Sequence, residues 1–143
     1  MHWLHDDLAV SGLHDLHLDE PIGAVLNVCE RRPYDPPASL AYLHKGFPDE
    51  QPFSLELVWE CVQWVDRQVA SGKKVLVHCA EGNSRSVTVV VGYLMYKGMP
   101  LQDIQRQVLR RKPFTQMGGV QTDEPQYFQE TFLKKFDAFL KTV

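Results

Sequence analysis

The sequence predicts an α/β fold, a single layered domain in which helices flank a central, mixed but mainly parallel sheet of about 4–5 strands. Short β-rich runs alternate along the chain with segments whose apolar residues recur at helical spacing. The chain has 143 residues, the length of one ordinary domain, and 44% of them are hydrophobic, which is enough for one core. We therefore expect residues 1–143 to form one domain.

Three strands are predicted in the first half of the chain. The apolar stretch Leu8–Ser11 is the first, and the β-rich run Gly23–Cys29 is the second. The polar, proline-bearing segment Glu30–Ser39 reads as a loop. Leu40–Leu43 is the third candidate strand, and a second loop with several prolines follows it.

A helix and a buried strand come next. Ser54 is a good N-cap residue, and Gly72 is a typical stop signal. Lys74–Val77 is a short apolar run that predicts a buried strand. The helix between Ser54 and Gly72 has one apolar face, formed by Leu55, Val58, Cys61, Val62, Val65 and Val69.

Three further helices complete the chain. Ser86–Lys97 is predicted to be a helix that ends at Gly98, and Pro100 opens another that runs to about Arg111. Pro125 opens the last helix. One stripe of this helix, which we interpret as core, contains Phe128, Phe132, Phe136, Phe139 and Leu140.

Composition narrows the classes of function. Fifteen Lys and Arg residues against eighteen Asp and Glu residues give a formal net charge of −3, which argues against general nucleic-acid binding. The apolar runs are too short to cross a bilayer, so we expect no membrane partner. Three cysteines do not make a disulfide framework, which favours a cytoplasmic location. The His2/His5 and His14/His17 pairs lack further ligands, so we predict neither a metal nor any other cofactor.

The segment between the last predicted strand and the next helix carries the chemistry. Its sequence, VLVHCAEGNSRS, places Cys79 at the end of a strand and places Arg85 and Ser86 at the start of a helix. The thiolate is the nucleophilic form of cysteine, and a helix N-terminus and a neighbouring guanidinium both favour it. Ser86 Oγ can donate a hydrogen bond to the sulfur. The pattern indicates nucleophilic catalysis at Cys79.

The loop after Cys79 is suited to binding a phosphoryl group. Successive backbone N–H groups can form an anion nest, which the dipole of the following helix reinforces. Gly82 tolerates backbone angles that other residues resist. The Arg85 guanidinium can hold two phosphate oxygens at once and stabilise their charge. The predicted phosphate-binding residues are Ala80, Glu81, Gly82, Asn83, Ser84 and Arg85.

The run HCAEGNSRS matches the pattern H-C-x-x-G-x-x-R-S, and the chain thereby resembles the cysteine-dependent protein tyrosine phosphatases, in particular their dual-specificity branch. The resemblance extends over about Trp3–Lys112, because WLHDDLAVSG is similar to the opening strand of the family. It implies a protein tyrosine phosphatase-like fold and a phosphocysteine intermediate. It also implies that His78 organises the phosphate-binding loop.

The reaction also needs a general acid to protonate the leaving group. Asp35, Asp49 and Glu50 are the candidates in the predicted loops. In the resembled family the acid is an Asp on a loop about thirty positions before the cysteine, and Asp49 lies thirty positions before Cys79. We therefore choose Asp49, with Glu50 and Asp35 as the alternatives.

Cys29 is a candidate redox partner of Cys79. The stretch AVLNVCERRPYD resembles the tensin-like lipid phosphatases, in which the corresponding cysteine lies close to the catalytic one. That resemblance implies a disulfide between oxidised Cys79 and Cys29. The alternative, that Cys29 is a small buried apolar residue, stays open. Cys61 lies on the apolar face of its helix and is interpreted as core.

The resemblance implies a monomeric enzyme that hydrolyses phosphotyrosine, and also phosphoserine and phosphothreonine, in protein substrates. One alternative is a phosphatase for a non-protein ester, such as a phosphoinositide, a sugar phosphate or an RNA 5′ end. Glu81 disfavours a highly phosphorylated inositol ring on Coulomb grounds. Another alternative is a phospho-binding module without turnover, which the presence of Cys79, Arg85 and Asp49 disfavours.

Overall fold

The computed structural model describes residues 1–31, 33–48, 54–80, 85–111 and 130–143. These residues form five strands and four helices. In chain order they are β1 (His2–His5), β2 (Leu8–Ser11), β3 (Ile22–Asn27), β4 (Ala41–His44), α1 (Leu55–Ala70), β5 (Lys74–His78), α2 (Arg85–Tyr96), α3 (Leu101–Arg111) and α4 (Glu130–Leu140).

The described strands form one sheet in the order β1-β2-β5-β3-β4. The hairpin pair β1–β2 is antiparallel, whereas β2–β5, β5–β3 and β3–β4 are parallel. Because β5 lies between β2 and β3, the last of the described strands is the central one. The predicted α/β class, with a mixed but mainly parallel sheet, is confirmed.

A row of polar residues crosses the carboxyl edge of the sheet. Ser11 on β2 is opposite His78 on β5, His78 is opposite Asn27 on β3, and Asn27 is opposite His44 on β4. Carboxyl ends of parallel strands meet at one edge, where open α/β sheets bind ligands. Cys79 directly follows this row.

The bounds of β3, β4 and β5 differ from the prediction by one or two residues, and one strand was not predicted. Strand β3 ends at Asn27 instead of Cys29, because the Asn27 side chain accepts a hydrogen bond from the Cys29 backbone N at 2.9 Å and turns the chain out of the ladder. Strand β4 begins one residue later than predicted. Strand β1 has no alternating pattern of its own, and its pairing with β2 establishes it.

The described helices follow the predicted signals. The Ser54 side chain accepts a hydrogen bond from Leu57 N at 3.2 Å and so caps α1. Gly72 and Gly98, which follow α1 and α2, have positive φ angles of 88° and 93°. Helix α4 is described from Glu130 onward. The predicted start of this helix at Pro125, and Phe128 with it, lie outside the described residues.

The sheet has a large core on one face and a smaller one on the other. Helices α1, α2 and α4 cover the large core, in which Phe136 of α4 and Cys61 of α1 are fully buried, as predicted. Helix α2 packs closely here, since a Cβ on Gly92 would lie 3.2 Å from the Phe136 ring. The small core contains Ala9, Ile22, Val25 and Leu76, packed under partly buried Met1, Trp3, Leu16, Leu18, Leu40 and Tyr42.

Candidate active site

Cys79 lies at the end of the central strand, and its side chain is buried, with a residue exposure of 1%. Backbone hydrogen bonds hold this end of β5 from both sides. Cys79 N donates to Ser11 O at 3.3 Å, and Val28 N donates to His78 O at 2.9 Å. Leu13 N donates to Ala80 O at 3.0 Å, so the first residue after Cys79 is held as well.

The start of α2 brings a hydroxyl to the cysteine. The distance between Cys79 Sγ and Ser86 Oγ is 3.4 Å, and both side chains are buried. A hydroxyl at this distance can donate to a thiolate and stabilise its charge. The geometry therefore allows the predicted contact between Ser86 and the sulfur.

Arg85 connects α2 with the segment that precedes Asp49. The Arg85 guanidinium is 7% exposed, and its Nη1 donates to Phe47 O at 3.3 Å. Phe47 is fully buried, and its own backbone N donates to Val28 O at 3.1 Å. A guanidinium that is mostly buried and oriented by a carbonyl is preorganised to bind an oxyanion.

His78 lies beside the cysteine in a buried polar cluster. Its Nε2 is 2.7 Å from the Tyr34 hydroxyl, and its Nδ1 is 3.8 Å from Cys29 Sγ. Burial lowers the pKa of His78 to about 4, and burial also raises the pKa of Tyr34. The imidazole is therefore neutral and the phenol protonated at neutral pH, so we assign Tyr34 as the donor and Nε2 as the acceptor.

The structure brings several of the predicted site residues together. Ser86 Oγ contacts Cys79 Sγ, Arg85 directly precedes Ser86 at the start of α2, and Cys29 Sγ lies 3.8 Å from His78 Nδ1. Strand β3, which leads to Cys29, pairs directly with β5, which leads to Cys79. The catalytic, loop-organising and redox roles of these residues stay predictions.

Other predicted residues cannot be placed in this way. Asp49, Glu50, Glu81, Gly82, Asn83 and Ser84 lie outside the described residues. Asp35 is described, and it is exposed on the segment that joins β3 to β4.

Tyr34 was missed at the sequence level. It lies in a proline-bearing loop that has no periodicity, so pattern analysis gives it no role. Its ring stacks on the His78 ring with centroids 5.7 Å apart, and its backbone N donates to the Tyr42 hydroxyl at 3.3 Å. The sequence signal that could have identified Tyr34 is its position in the loop that follows β3, the strand next to the one that leads to Cys79.

Three further structural facts concern cofactors, disulfides and membranes. Within the described ranges no group of three or more His, Cys, Asp or Glu side chains could hold a metal ion. Cys29, Cys61 and Cys79 are buried thiols that form no disulfide with one another. Among the helices that the structure describes, none has the length and apolarity needed to cross a bilayer.

The central strand, the buried cysteine after it and the helix that begins with arginine define the class of protein. This strand–loop–helix unit at the carboxyl edge of a mainly parallel sheet is the arrangement of the cysteine-dependent phosphatases. A family model described as "Dual specificity phosphatase, catalytic domain" matches residues 11–118, well over half of the chain. The chain belongs to the dual specificity phosphatase family.

Individual relatives agree with this assignment. The chain is 45% identical over 67 residues to Dual specificity protein phosphatase 1 of Arabidopsis thaliana, a match that covers 46% of this chain and 34% of that protein. The chain thus spans about a third of that relative's length. Among solved structures, Tk-PTP in its active form has a TM-score of 0.75 at 28% identity, with 96% of this chain and 95% of that chain covered.

A second solved structure is similar in fold alone. PTPMT1 in complex with PI(5)P has a TM-score of 0.76 at 20% identity, and the match covers 99% of this chain and 96% of that chain.

Proposed function

We propose that residues 1–143 act as one catalytic domain that hydrolyses phosphomonoesters through a phosphocysteine intermediate. The observation that carries the proposal is the 3.4 Å contact between Cys79 Sγ and Ser86 Oγ at the start of α2, the helix that begins with the mostly buried Arg85. A thiol, a hydroxyl donor and a fixed guanidinium are the groups that phosphoryl transfer to sulfur requires.

The proposed reaction has two steps. Cys79 Sγ attacks the phosphorus atom, the bond to the leaving oxygen breaks, and Asp49 gives its proton to that oxygen. Asp49, now a carboxylate, takes a proton from the attacking water, the S–P bond of the phosphocysteine breaks as inorganic phosphate forms, and Ser86 donates a hydrogen bond to the departing thiolate. Arg85 and the backbone N–H groups after Cys79 hold the phosphate oxygens in both steps.

Phosphorylated protein is the proposed substrate, with phosphotyrosine as the first candidate and phosphoserine and phosphothreonine beside it. The names of the relatives support this choice, since Dual specificity protein phosphatase 1 is described as a protein phosphatase. The phosphoinositide bound to PTPMT1 makes a lipid headgroup the main competitor. The likeness to PTPMT1 is one of fold alone. The negative charge of Glu81 in the predicted phosphate-binding loop disfavours an inositol ring with several phosphates.

Two cysteine variants test the mechanism. Cys79→Ser should lower the hydrolysis of an aryl phosphate by about three orders of magnitude or more, because a hydroxyl is a poor nucleophile without a thiolate's charge. Cys61→Ser is the matched control, since burial raises the pKa of Cys61 to about 12 and leaves it an unreactive thiol on α1. Normal turnover by Cys79→Ser would refute the mechanism.

The role of Arg85 and the choice of substrate need separate measurements. Arg85→Lys should be severely impaired, because a point charge cannot replace the planar fork. Turnover of phosphopeptides should be compared with that of a soluble phosphoinositide, a sugar phosphate and a 5′-phosphorylated RNA. A higher kcat/KM for any of the three non-protein esters would contradict the proposed substrate class.

A further inference from the structure

The chain segment that follows β3 is held against the site at both of its ends. Cys29 Sγ is 3.8 Å from His78 Nδ1, and the Tyr34 hydroxyl is 2.7 Å from His78 Nε2. His78 directly precedes Cys79, so Cys29 and Tyr34 both contact the residue next to the candidate nucleophile. We call Glu30, Arg31, Pro33 and Tyr34 the rim segment.

The backbone of the rim segment is held in place by close packing as well. The Cys29 carbonyl oxygen is 2.6 Å from His44 Nε2. A Cβ on Gly46 would lie only 2.6 Å from the Glu30 carbonyl oxygen, so the rim segment packs directly on the segment that leads to Phe47. The Phe47 carbonyl in turn accepts from Arg85. The rim segment is therefore positioned relative to the phosphate-binding guanidinium.

Arg31 is the exposed cation of this segment. Its side chain is 88% exposed, and its Nε lies 4.0 Å from Glu30 Oε1, at the outer limit for an ion pair. Lys45, which follows β4, is engaged differently, with its Nζ 3.0 Å from Glu60 Oε2. Arg31 is thus a weakly paired guanidinium in the rim segment, on a chain with a formal net charge of −3.

We propose that Arg31 is a specificity-determining residue that selects phosphopeptides with an acidic residue next to the phosphorylated one, an inference that rests on the proposed function. A guanidinium pairs with a carboxylate through two parallel hydrogen bonds, and the anchored ends of the rim segment reduce the entropy lost in forming them. Arg85 holds the phosphate that reacts, and Arg31 pairs with the neighbouring carboxylate.

The test measures kcat/KM for two phosphotyrosyl peptides that differ in the residues flanking the phosphotyrosine, Asp in one and Asn in the other. An exposed ion pair predicts a preference of about two- to fivefold for the acidic peptide at low ionic strength. High salt should reduce the preference, because exposed charges are screened. Arg31→Gln should bring the ratio to about one, and Arg31→Glu should invert it.

Arg106→Gln is the matched control. Arg106 is also a highly exposed arginine, 77% exposed, with a loose carboxylate partner, Asp103, at 3.7 Å. It lies on α3, the helix that packs beside β1 at the edge of the sheet. This variant should keep the wild-type ratio.

The outcomes separate this inference from the function on which it rests. Turnover of both peptides at equal kcat/KM, or a preference that Arg31→Gln retains, overturns the role of Arg31 and leaves the phosphatase proposal standing. Absence of turnover on every phosphopeptide overturns both. Loss of phosphoinositide turnover in Arg31→Gln with an unchanged peptide ratio assigns Arg31 to lipid substrates and also refutes the inference.

Discussion

At the scale of single residues, burial determines the charge of the side chain that precedes the nucleophile. His78 is fully buried, and its pKa is lowered to about 4 by the loss of hydration. The Tyr34 phenol, whose pKa burial raises, supplies a neutral hydrogen-bond partner instead of a charged one. A neutral imidazole adds no positive charge beside Cys79.

The lowered pKa of His78 links protein stability to pH. Between pH 6.5 and about 4 the unfolded chain binds a proton at this residue and the folded chain does not, so stability falls as the pH falls. The free energy of unfolding should decrease by about 2 kcal/mol more between pH 7 and pH 5 than it does in His78→Gln. Urea unfolding at both pH values measures it. His14→Gln, at a histidine whose side chain is 73% exposed, should behave like the wild type.

Asp49 makes a second prediction at this scale, from its proposed role as general acid. Asp49→Asn should slow the hydrolysis of an alkyl phosphate, which has a poor leaving group, much more than the hydrolysis of an aryl phosphate, which has a good one. The basic limb of the pH–rate profile should weaken in the same variant, because it reports loss of the acid's proton. Equal losses on both substrates would transfer the role to Glu50 or Asp35.

At the scale of elements, the segment after β4 is the connection between the strands and the candidate acid. Gly46 lies against the backbone of residues 29 and 30, and Phe47 is buried with its carbonyl on Arg85. No flexible side chain separates these backbones, so a change at Gly46 must move one of them. The backbone around Gly46 and Phe47 is therefore positioned by the residues that follow β3.

Gly46→Ala should show this coupling. The added Cβ would lie 2.6 Å from the Glu30 carbonyl oxygen. Relieving this clash should lower the free energy of unfolding by about 1–3 kcal/mol, and it should lower kcat for a substrate with a poor leaving group. Gly23→Ala is the control, because its Cβ would lie 3.3 Å from Lys73 Cβ, a milder contact that a small shift relieves. Equal kcat values for Gly46→Ala and the wild type would contradict the coupling.

The sequence predicted the elements better than their contacts. Helix α1 carries its N-cap, apolar face and stop glycine within its own sequence, so local rules place it correctly. Strand β1 has no such signal in its own sequence. Its pairing with β2 stabilises it. In the site, the spacing from Cys79 to Arg85 and Ser86 is local, whereas the contact of Tyr34 with His78 spans 44 positions. Contacts of that kind depend on strand order, which periodicity does not encode.

At the scale of the whole molecule, the two faces of the sheet are covered unequally. The described helices pack on the large core, whereas side chains from loops and from the edge strands β1 and β4 cover the small one. Gly92 lets α2 pack closely on both neighbouring helices. A Cβ at this position would lie 3.2 Å from the Phe136 ring on α4 and 3.3 Å from the Val62 side chain on α1. Helix α4 is thus part of the same cooperative core as the helix that begins with Arg85.

Phe136 tests this cooperativity. The side chain is fully buried, so Phe136→Ala should cost about 3–5 kcal/mol of stability through lost burial and the cavity left behind. Phe139→Ala should cost less, because that ring is only partly buried. Urea denaturation should show one transition in both variants. A separate early transition in Phe136→Ala would mean that α4 unfolds independently of the sheet.

The central position of β5 also determines how rarely the site opens. The Val28 amide hydrogen is bonded to His78 O on β5, and the Cys79 amide hydrogen is bonded to Ser11 O on β2. Strand β5 lies between β2 and β3, so both of these neighbours must separate from it before it is freed. Local fluctuations of edge strands β1 and β4 leave these bonds intact. We therefore expect these two hydrogens to exchange with solvent deuterium as slowly as global unfolding allows, and much more slowly than the amide hydrogens of the edge strands.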